Sequence, residues 1–196
     1  MKVILASKSP RRRELLSSLG EKMGFRFEII TEEVDESVDE GTLPIDAVCI
    51  LAERKGRAVA SKVDSHDTLV ISSDTLVELD GVALGKPTDK EDAVRMLTAL
   101  SGRGHFVRTG VSVSYNGRVI TDVASTEVVF YPLTDRDIMS YVESGEPMDK
   151  AGAYGIQGGA GKFVKEYMGD FDTVVGLSLA LTERLIVEVL GGDRFD

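Results

Sequence analysis

Apolar and polar residues change period several times along the chain, and each change marks an element. The apolar run 3–6 predicts a short buried strand. Pro10 opens a helix to about Leu19 with Leu15, Leu16 and Leu19 as its apolar stripe and Gly20 as its stop. Residues 25–30 predict a second strand, and the loop 31–40 carries six carboxylates among ten residues. Pro44 starts a long helix to about Val63, with Ala47, Ile50, Leu51, Arg54, Ala58 and Val59 close to helical spacing.

A buried strand over 68–73 ends at Asp74, and Asp80-Gly81 joins 76–79 to 82–84 as a hairpin. Residues 89–100 form an amphipathic helix with Ala93, Met96, Leu97 and Leu100 inward, closed by Ser101-Gly102. Two long strands, 105–115 and 119–130, turn at Asn116-Gly117, the strongest short hairpin signal present. Thr134 caps a helix to about Val142, a glycine-rich stretch over 152–161 precedes 162–168, and 177–190 makes a closing helix. Strands and helices are interspersed and at least one hairpin is antiparallel, so the fold class is α/β with a mixed sheet. Without a repeat or a Pro/Ser-rich linker, residues 1–196 read as one domain or two closely associated lobes.

A net charge of −10 argues against a nucleic-acid polymer or an anionic membrane as partner, since both need a broad positive surface. A small polyanion needs only a local cluster of cations. Cys49 stands alone, beside Val48 and Ile50, and reads as a buried core thiol suited to a reducing compartment. No signal-peptide core or membrane-length apolar run is present, so a cytoplasmic setting is expected.

Against that acidic background, "ASKSPRRR" gathers Lys8, Arg11, Arg12 and Arg13 where a strand passes into a helix. Ser7, Ser9 and Pro10 aim the first N–H groups of the helix at the loop, and arginine forks match phosphate oxygens. A solvated face paired with Glu14 or the acidic loop fits the local charge equally well. Cations at a helix N-terminus oppose its dipole, however, and a bound anion would relieve the conflict. In "VISSDTLV", Asp74 lies where open α/β sheets place ligands; it can hold a metal, accept a proton, or merely cap a turn. Asp35 and Glu36 are hard oxygen ligands for Mg²⁺ if they face it. Lys55 and Lys86 gain meaning only beside a site. In "DKAGAYGIQGGAG", five glycines in thirteen positions point to close backbone approach or tight turns, and the Gln157 amide can read a base edge. His66 and His105 lack metal-ligand spacing and read as structural.

"LASKSPRRRELL", "SSDTLV", "LGKPTDKEDAVRMLTALSGRGHFVRTGV", "YVESGEPMDKAGAYGIQGGAGKFV" and "GDFDTVVGLSL" follow in the order and spacing of the Maf family of nucleoside triphosphate pyrophosphatases, which this chain resembles over nearly its whole length. The resemblance implies an elongated α/β fold like that of inosine triphosphate pyrophosphatase, with a cleft between two lobes, and a homodimer. By the same resemblance Ser7, Ser9, Arg11, Arg12, Lys55 and Lys86 hold the triphosphate. Glu36 and Asp74 hold Mg²⁺ or Mn²⁺, and Asp74 accepts the proton. Arg11, Thr75 and Gln157 match positions linked to substrate choice, and Gln157 with its loop wording is that of the dTTP/UTP subgroup. The family usually has Pro where this chain has Ser178. The alternatives are a 7-methyl-GTP pyrophosphatase, a nucleotidyltransferase, or a non-catalytic nucleotide-binding regulator of cell division.

Overall fold

The computed structural model describes residues 1–64 and 66–192; of the span 1–196 read as one domain, residues 65 and 193–196 lie outside the described residues. The elements are β1 (Lys2–Leu5), α1 (Pro10–Met23), β2 (Glu28–Ile29), α2 (Pro44–Ala60), β3 (Thr68–Leu79), β4 (Val82–Leu84), α3 (Lys90–Leu100), β5 (Gly104–Tyr115), β6 (Arg118–Phe130), α4 (Asp135–Glu143), β7 (Val164–Met168), α5 (Phe171–Val175) and α6 (Leu179–Val189). Three short 3-10 turns between Glu146 and Phe163 precede β7. Among the described residues the strands form a seven-stranded sheet in the order β2-β1-β3-β5-β6-β7, with β4 on β3. β1 is parallel to β2 and β3, whereas β4 and β7 pair antiparallel. The mixed α/β class expected from the sequence is the one observed.

The chain resolves into two compact units: Met1–Asp74, Thr109–Ala124 and the chain from Gly176, and Thr75–Arg108 with Ser125–Val175. In the first unit the two-residue period of the strands sorts the core. Val3, Leu5, Leu69, Ile71, Val111 and Val113 pack with Leu16 and Leu19 of α1 and Leu181, Leu185 and Ile186 of α6. Ile4, Ala6 and Val70 point the other way, onto Val59 of α2. In the second unit Val77, Leu79, Val107, Val128 and Phe130 pack with Ala93, Met96, Leu97 and Leu100 of α3 and Ile138, Tyr141 and Val142 of α4. His105 lies inside that core with Nε2 2.8 Å from the Tyr154 hydroxyl. Burial lowers its pKa to about 4, so the ring is neutral and structural, as expected.

Several expected boundaries move. α1 does not stop at Gly20 but runs to Met23 and is capped by Gly24 in the left-handed region (φ 83°). Gly20 instead admits the returning chain, since a Cβ there would lie 2.7 Å from the Phe25 carbonyl oxygen. Phe25 turns into the core with its N–H on the Gly20 carbonyl, which leaves only Glu28 and Ile29 to pair in β2. The buried face of α2 is Ala47, Val48, Ala52, Gly56 and Val59, and Ile50 is 42% exposed. Close approach selects the small residues: a Cβ on Gly56 would sit 2.6 Å from Ser72 Oγ. Cys49 is accordingly half-buried and not a core residue; partial burial first, then Asp122, Asp46 and Glu53, raise its pKa, which leaves it a poor nucleophile. β3 does not end at Asp74 but continues to Leu79 through its pairing with β4 and β5. α5 has no counterpart in the apolar pattern.

Candidate active site

Asp74 sits inside a twelve-residue strand and not at a strand end. Strand alternation puts Ser72 and Asp74 on the side of β3 that faces α2. Ser72 Oγ donates to the Ala52 carbonyl at 2.7 Å. Three residues further along α2, Lys55 Nζ reaches Asp74 Oδ1 at 2.6 Å. The same ammonium lies 2.6 Å from Glu36 Oε1, so one cation holds two carboxylates from separate segments. Lys55 and Asp74 are largely buried, with side-chain exposures of 19% and 14%, whereas Glu36 is 57% exposed. An exposed pair of this kind contributes little to stability, while the Lys55–Asp74 pair is sheltered from screening.

The acidic loop is held in shape by its own turn. Ser37 donates its N–H to Asp35 Oδ1 at 2.8 Å and its hydroxyl to Oδ2 at 2.7 Å. The Ser37 N–H first, and then its hydroxyl, hold the Asp35 carboxyl below the usual range. Arg54, next to Lys55 on α2, donates to the Ser37 carbonyl at 2.8 Å and to the Asp35 carbonyl. Both Asp35 carboxylate oxygens are thus engaged by the Ser37 turn, and Glu36 is the carboxylate of this loop that reaches Lys55.

At the start of α1, Ser9 is the N-cap, its hydroxyl accepting from the Arg12 N–H at 3.4 Å. The buried Ser7 hydroxyl accepts from the Ser9 N–H at 3.3 Å. Arg12 is fixed by main chain: Nε donates to the Gly176 carbonyl and an Nη to the Ser73 carbonyl, both at 2.8 Å. Burial lowers the pKa of its guanidinium, Asp74 and Glu36 raise it, and Arg11 lowers it. The group stays charged, with Asp74 as its largest stabilising partner. Gly176 was invisible to sequence reasoning as a site residue. Its carbonyl accepts from both Arg12 and Ser73 Oγ (2.8 Å), and the sequence marks it only as part of "GDFDTVVGLSL", just ahead of the α6 cap.

The first unit therefore brings together Ser7, Ser9, Arg11, Arg12, Glu36, Lys55 and Asp74. Thr75, Lys86 and Gln157 belong to the second unit. Lys86 is exposed, and the Gly85 carbonyl before it accepts from the Gly152 N–H at 3.0 Å. Gly152 is required there: its φ is +65° and a Cβ would meet Val77 Cγ2 at 2.7 Å. No cluster of three or more His, Cys, Asp or Glu side chains able to hold a metal occurs among the described residues. Glu36 and Asp74 are two hard oxygen donors, a set that suits Mg²⁺ or Mn²⁺ when phosphate oxygens and water complete the shell.

The family model for Maf-like proteins matches residues 2–189. A dTTP/UTP pyrophosphatase of Bacillus velezensis is 46% identical over 95% of this chain and 96% of its own. One from Shewanella denitrificans is 46% identical over 97% of each chain, and one from a Geobacillus species 47% identical over 93% and 95%. A solved nucleoside-triphosphatase, a dITP/XTP pyrophosphatase from Mycobacterium abscessus, is 16% identical over 97% of each chain with a TM-score of 0.48. No helix among the described residues is long and apolar enough to cross a membrane.

Proposed function

The chain belongs to the Maf family, and from that premise we propose that it hydrolyses dTTP and UTP to the monophosphate and pyrophosphate. The observation that carries the chemistry is Lys55 gripped by Glu36 and Asp74, in the same unit as the arginine-rich start of α1.

Breaking the bond between the α- and β-phosphates requires neutralising a highly charged chain and taking a proton from the attacking water. The Ser9-capped helix start, Arg11, Arg12 and Lys55 supply positive charge for the phosphates, with Lys86 assigned the same role. Arg12 does so from a fixed position, because two main-chain carbonyls hold it and no reorganisation is needed when charge develops. Asp74 accepts the proton of the water as its oxygen bonds to phosphorus and pyrophosphate leaves. The Lys55 ammonium holds that carboxylate in place. Glu36 and Asp74 would hold Mg²⁺ or Mn²⁺, which supplies a more acidic water and further charge neutralisation. Gln157, Thr75 and Arg11 are assigned to base selection. A pyrimidine 4-carbonyl beside N3–H offers an acceptor and a donor, both answered by one amide. A homodimer in the cytoplasm belongs to the same reading.

A panel of nucleoside triphosphates with product identification tests this. The expected result is equimolar pyrophosphate and monophosphate from dTTP and UTP, less from CTP, and no turnover after a chelator removes divalent ions. Clear preference for 7-methyl-GTP, or binding without turnover in Mn²⁺, overturns it.

A further inference from the structure

The turn that carries Gln157 is tied at both ends to one carboxylate. The Gly155 N–H donates to the Tyr141 hydroxyl at 3.2 Å, and that hydroxyl donates to Glu146 Oε1 at 3.0 Å. Glu146 Oε2 accepts from the Gly159 N–H at 3.0 Å. Within this ring of bonds the Gly158 N–H closes onto the Gly155 carbonyl at 3.0 Å. Ile156 and Gln157 thus occupy the two central positions of a four-residue turn.

The glycines follow from the same arrangement. A Cβ on Gly155 would lie 2.7 Å from Lys150 Cε, and one on Gly158 2.6 Å from the Glu146 carboxylate carbon. One on Gly159 would lie 3.3 Å from the Tyr141 ring. The main chain is pressed directly onto its holders, so a side chain at Gly155 or Gly158 would displace Lys150 or the Glu146 carboxylate from its place against the turn. The holders are themselves fixed. Tyr141 is 4% exposed as a residue, and its ring is edge-on to Phe163 with centroids 5.4 Å apart. Lys150 Nζ donates to the Glu146 carbonyl at 2.8 Å and to Asp149 at 2.7 Å. Burial raises the Tyr141 pKa. The Gly155 N–H pulls it down and the Glu146 carboxylate raises it further, so the hydroxyl keeps the proton it donates.

Gln157 is exposed, and the turn beneath it fixes where its Cα–Cβ bond points and so which base edge its amide can reach. An amide that can also shift with its main chain fits cytosine as readily as uracil; fixing the main chain narrows the set of amide positions that reach the base edge. We propose that Glu146, with Tyr141, is the positioning residue for pyrimidine selection, holding the 155–159 turn so that Gln157 meets the base in one orientation. This rests on the reading that Gln157 contacts the base.

The test is kcat/KM for UTP and CTP in the native enzyme, Glu146→Gln and Tyr141→Phe, each repeated with Gln157→Ala. Inhibition by inorganic tripolyphosphate, a probe without a base, is measured alongside. Glu146→Gln keeps the shape but turns an amide N–H₂ toward one of the two donors. The UTP-to-CTP ratio is expected to fall about five- to tenfold, and about two- to threefold in Tyr141→Phe. With Gln157→Ala already present, neither variant lowers the ratio further. Tripolyphosphate inhibition changes by less than about twofold, since no phosphate-binding residue is touched. The proposal is overturned by an unchanged ratio, by an equal fall with and without Gln157, or by a uniform loss on both nucleotides and tripolyphosphate. If Glu146→Gln does not fold, Tyr141→Phe, which removes one hydroxyl, decides by the same criteria. Native enzyme that handles UTP and CTP alike refutes the base reading itself, before any variant is made.

Discussion

Around Asp74 in the first unit charged side chains meet head to head, whereas at the Gln157 turn in the second the main chain is wrapped around a single carboxylate. Lys55 is held between Glu36 and Asp74, and Arg12 is pinned to the Ser73 and Gly176 carbonyls. Around Glu146 the partners are the Gly159 N–H and the Tyr141 phenol, which in turn accepts from the Gly155 N–H. The materials suit the two tasks assigned to them. Phosphate charge is answered by charge, which acts over several ångströms and tolerates small displacements. A base edge is read by hydrogen bonds, which weaken steeply with angle and demand a fixed platform. Damage to the first unit should therefore cost rate, and damage to the second should cost discrimination.

The largest effect tests the rate side. Asp74→Asn keeps the shape of the strand but removes the charge that Lys55 and Arg12 face, and with it the group proposed to accept the proton. kcat for UTP should fall roughly 10²-fold or more, with the UTP-to-CTP ratio preserved. Pyrophosphate release measured on both nucleotides checks both parts. Turnover near the native rate would remove Asp74 from the chemistry, and a collapsed ratio would break the division of labour.

Next in size is an acid effect confined to the core of the second unit. His105 is neutral in the fold, with its pKa lowered to about 4 by burial. In the unfolded chain the ring takes a proton at about pH 6.5. The native state therefore binds fewer protons between these values, and its contribution is fully present above pH 6.5 and lost as the pH falls toward 4. The total is on the order of 3 kcal/mol. Thermal midpoints from pH 7 to pH 4 should fall steeply in the native protein and less steeply in His105→Asn. Parallel curves for the two proteins would show that the ring does not titrate in this window.

A smaller effect probes discrimination directly. Gln157→Ala should lower the UTP-to-CTP ratio about tenfold, mainly through KM for UTP, while inhibition by tripolyphosphate stays unchanged. Equal losses on both pyrimidines would place Gln157 outside base reading.

The same contrast explains what the sequence reveals. Strands and helices driven by apolar periodicity, such as α3 and the β5–β6 hairpin, are legible because each spacing maps to one face. The charged partners in the first unit are visible as residue types, since an arginine cluster in an acidic chain and an Asp in a buried strand both demand a reason. Their pairing is not visible: the contact of Glu36 with Lys55 depends on a turn closed by Asp35 and on Arg54 reaching the loop. In the second unit Thr75, Lys86 and Gln157 are visible, but the residues that hold the Gln157 turn are hidden. Glu146 and Tyr141 act on main-chain N–H groups, which every residue has, and the glycines they require signal only that something comes close. Gly20 misleads for the same reason, because it marks an approach by Phe25 and not a helix end.

The smallest effect separates stability from site chemistry within the first unit. Ser178 caps α6, its hydroxyl accepting from the Leu181 N–H at 3.3 Å, and it is 1% exposed. α6 supplies Leu181, Leu185 and Ile186 to the core that α1 also enters, yet it contributes none of the charged residues facing Asp74. Ser178→Ala leaves an N–H at the helix start without its acceptor, which costs about 1 kcal/mol. For a chain of this size that is a fall of about 2–4 °C in Tm. Both kcat for UTP and the UTP-to-CTP ratio should stay within experimental error. A loss of rate beyond that expected from the unfolded fraction would mean that α6 positions Gly176, and with it Arg12.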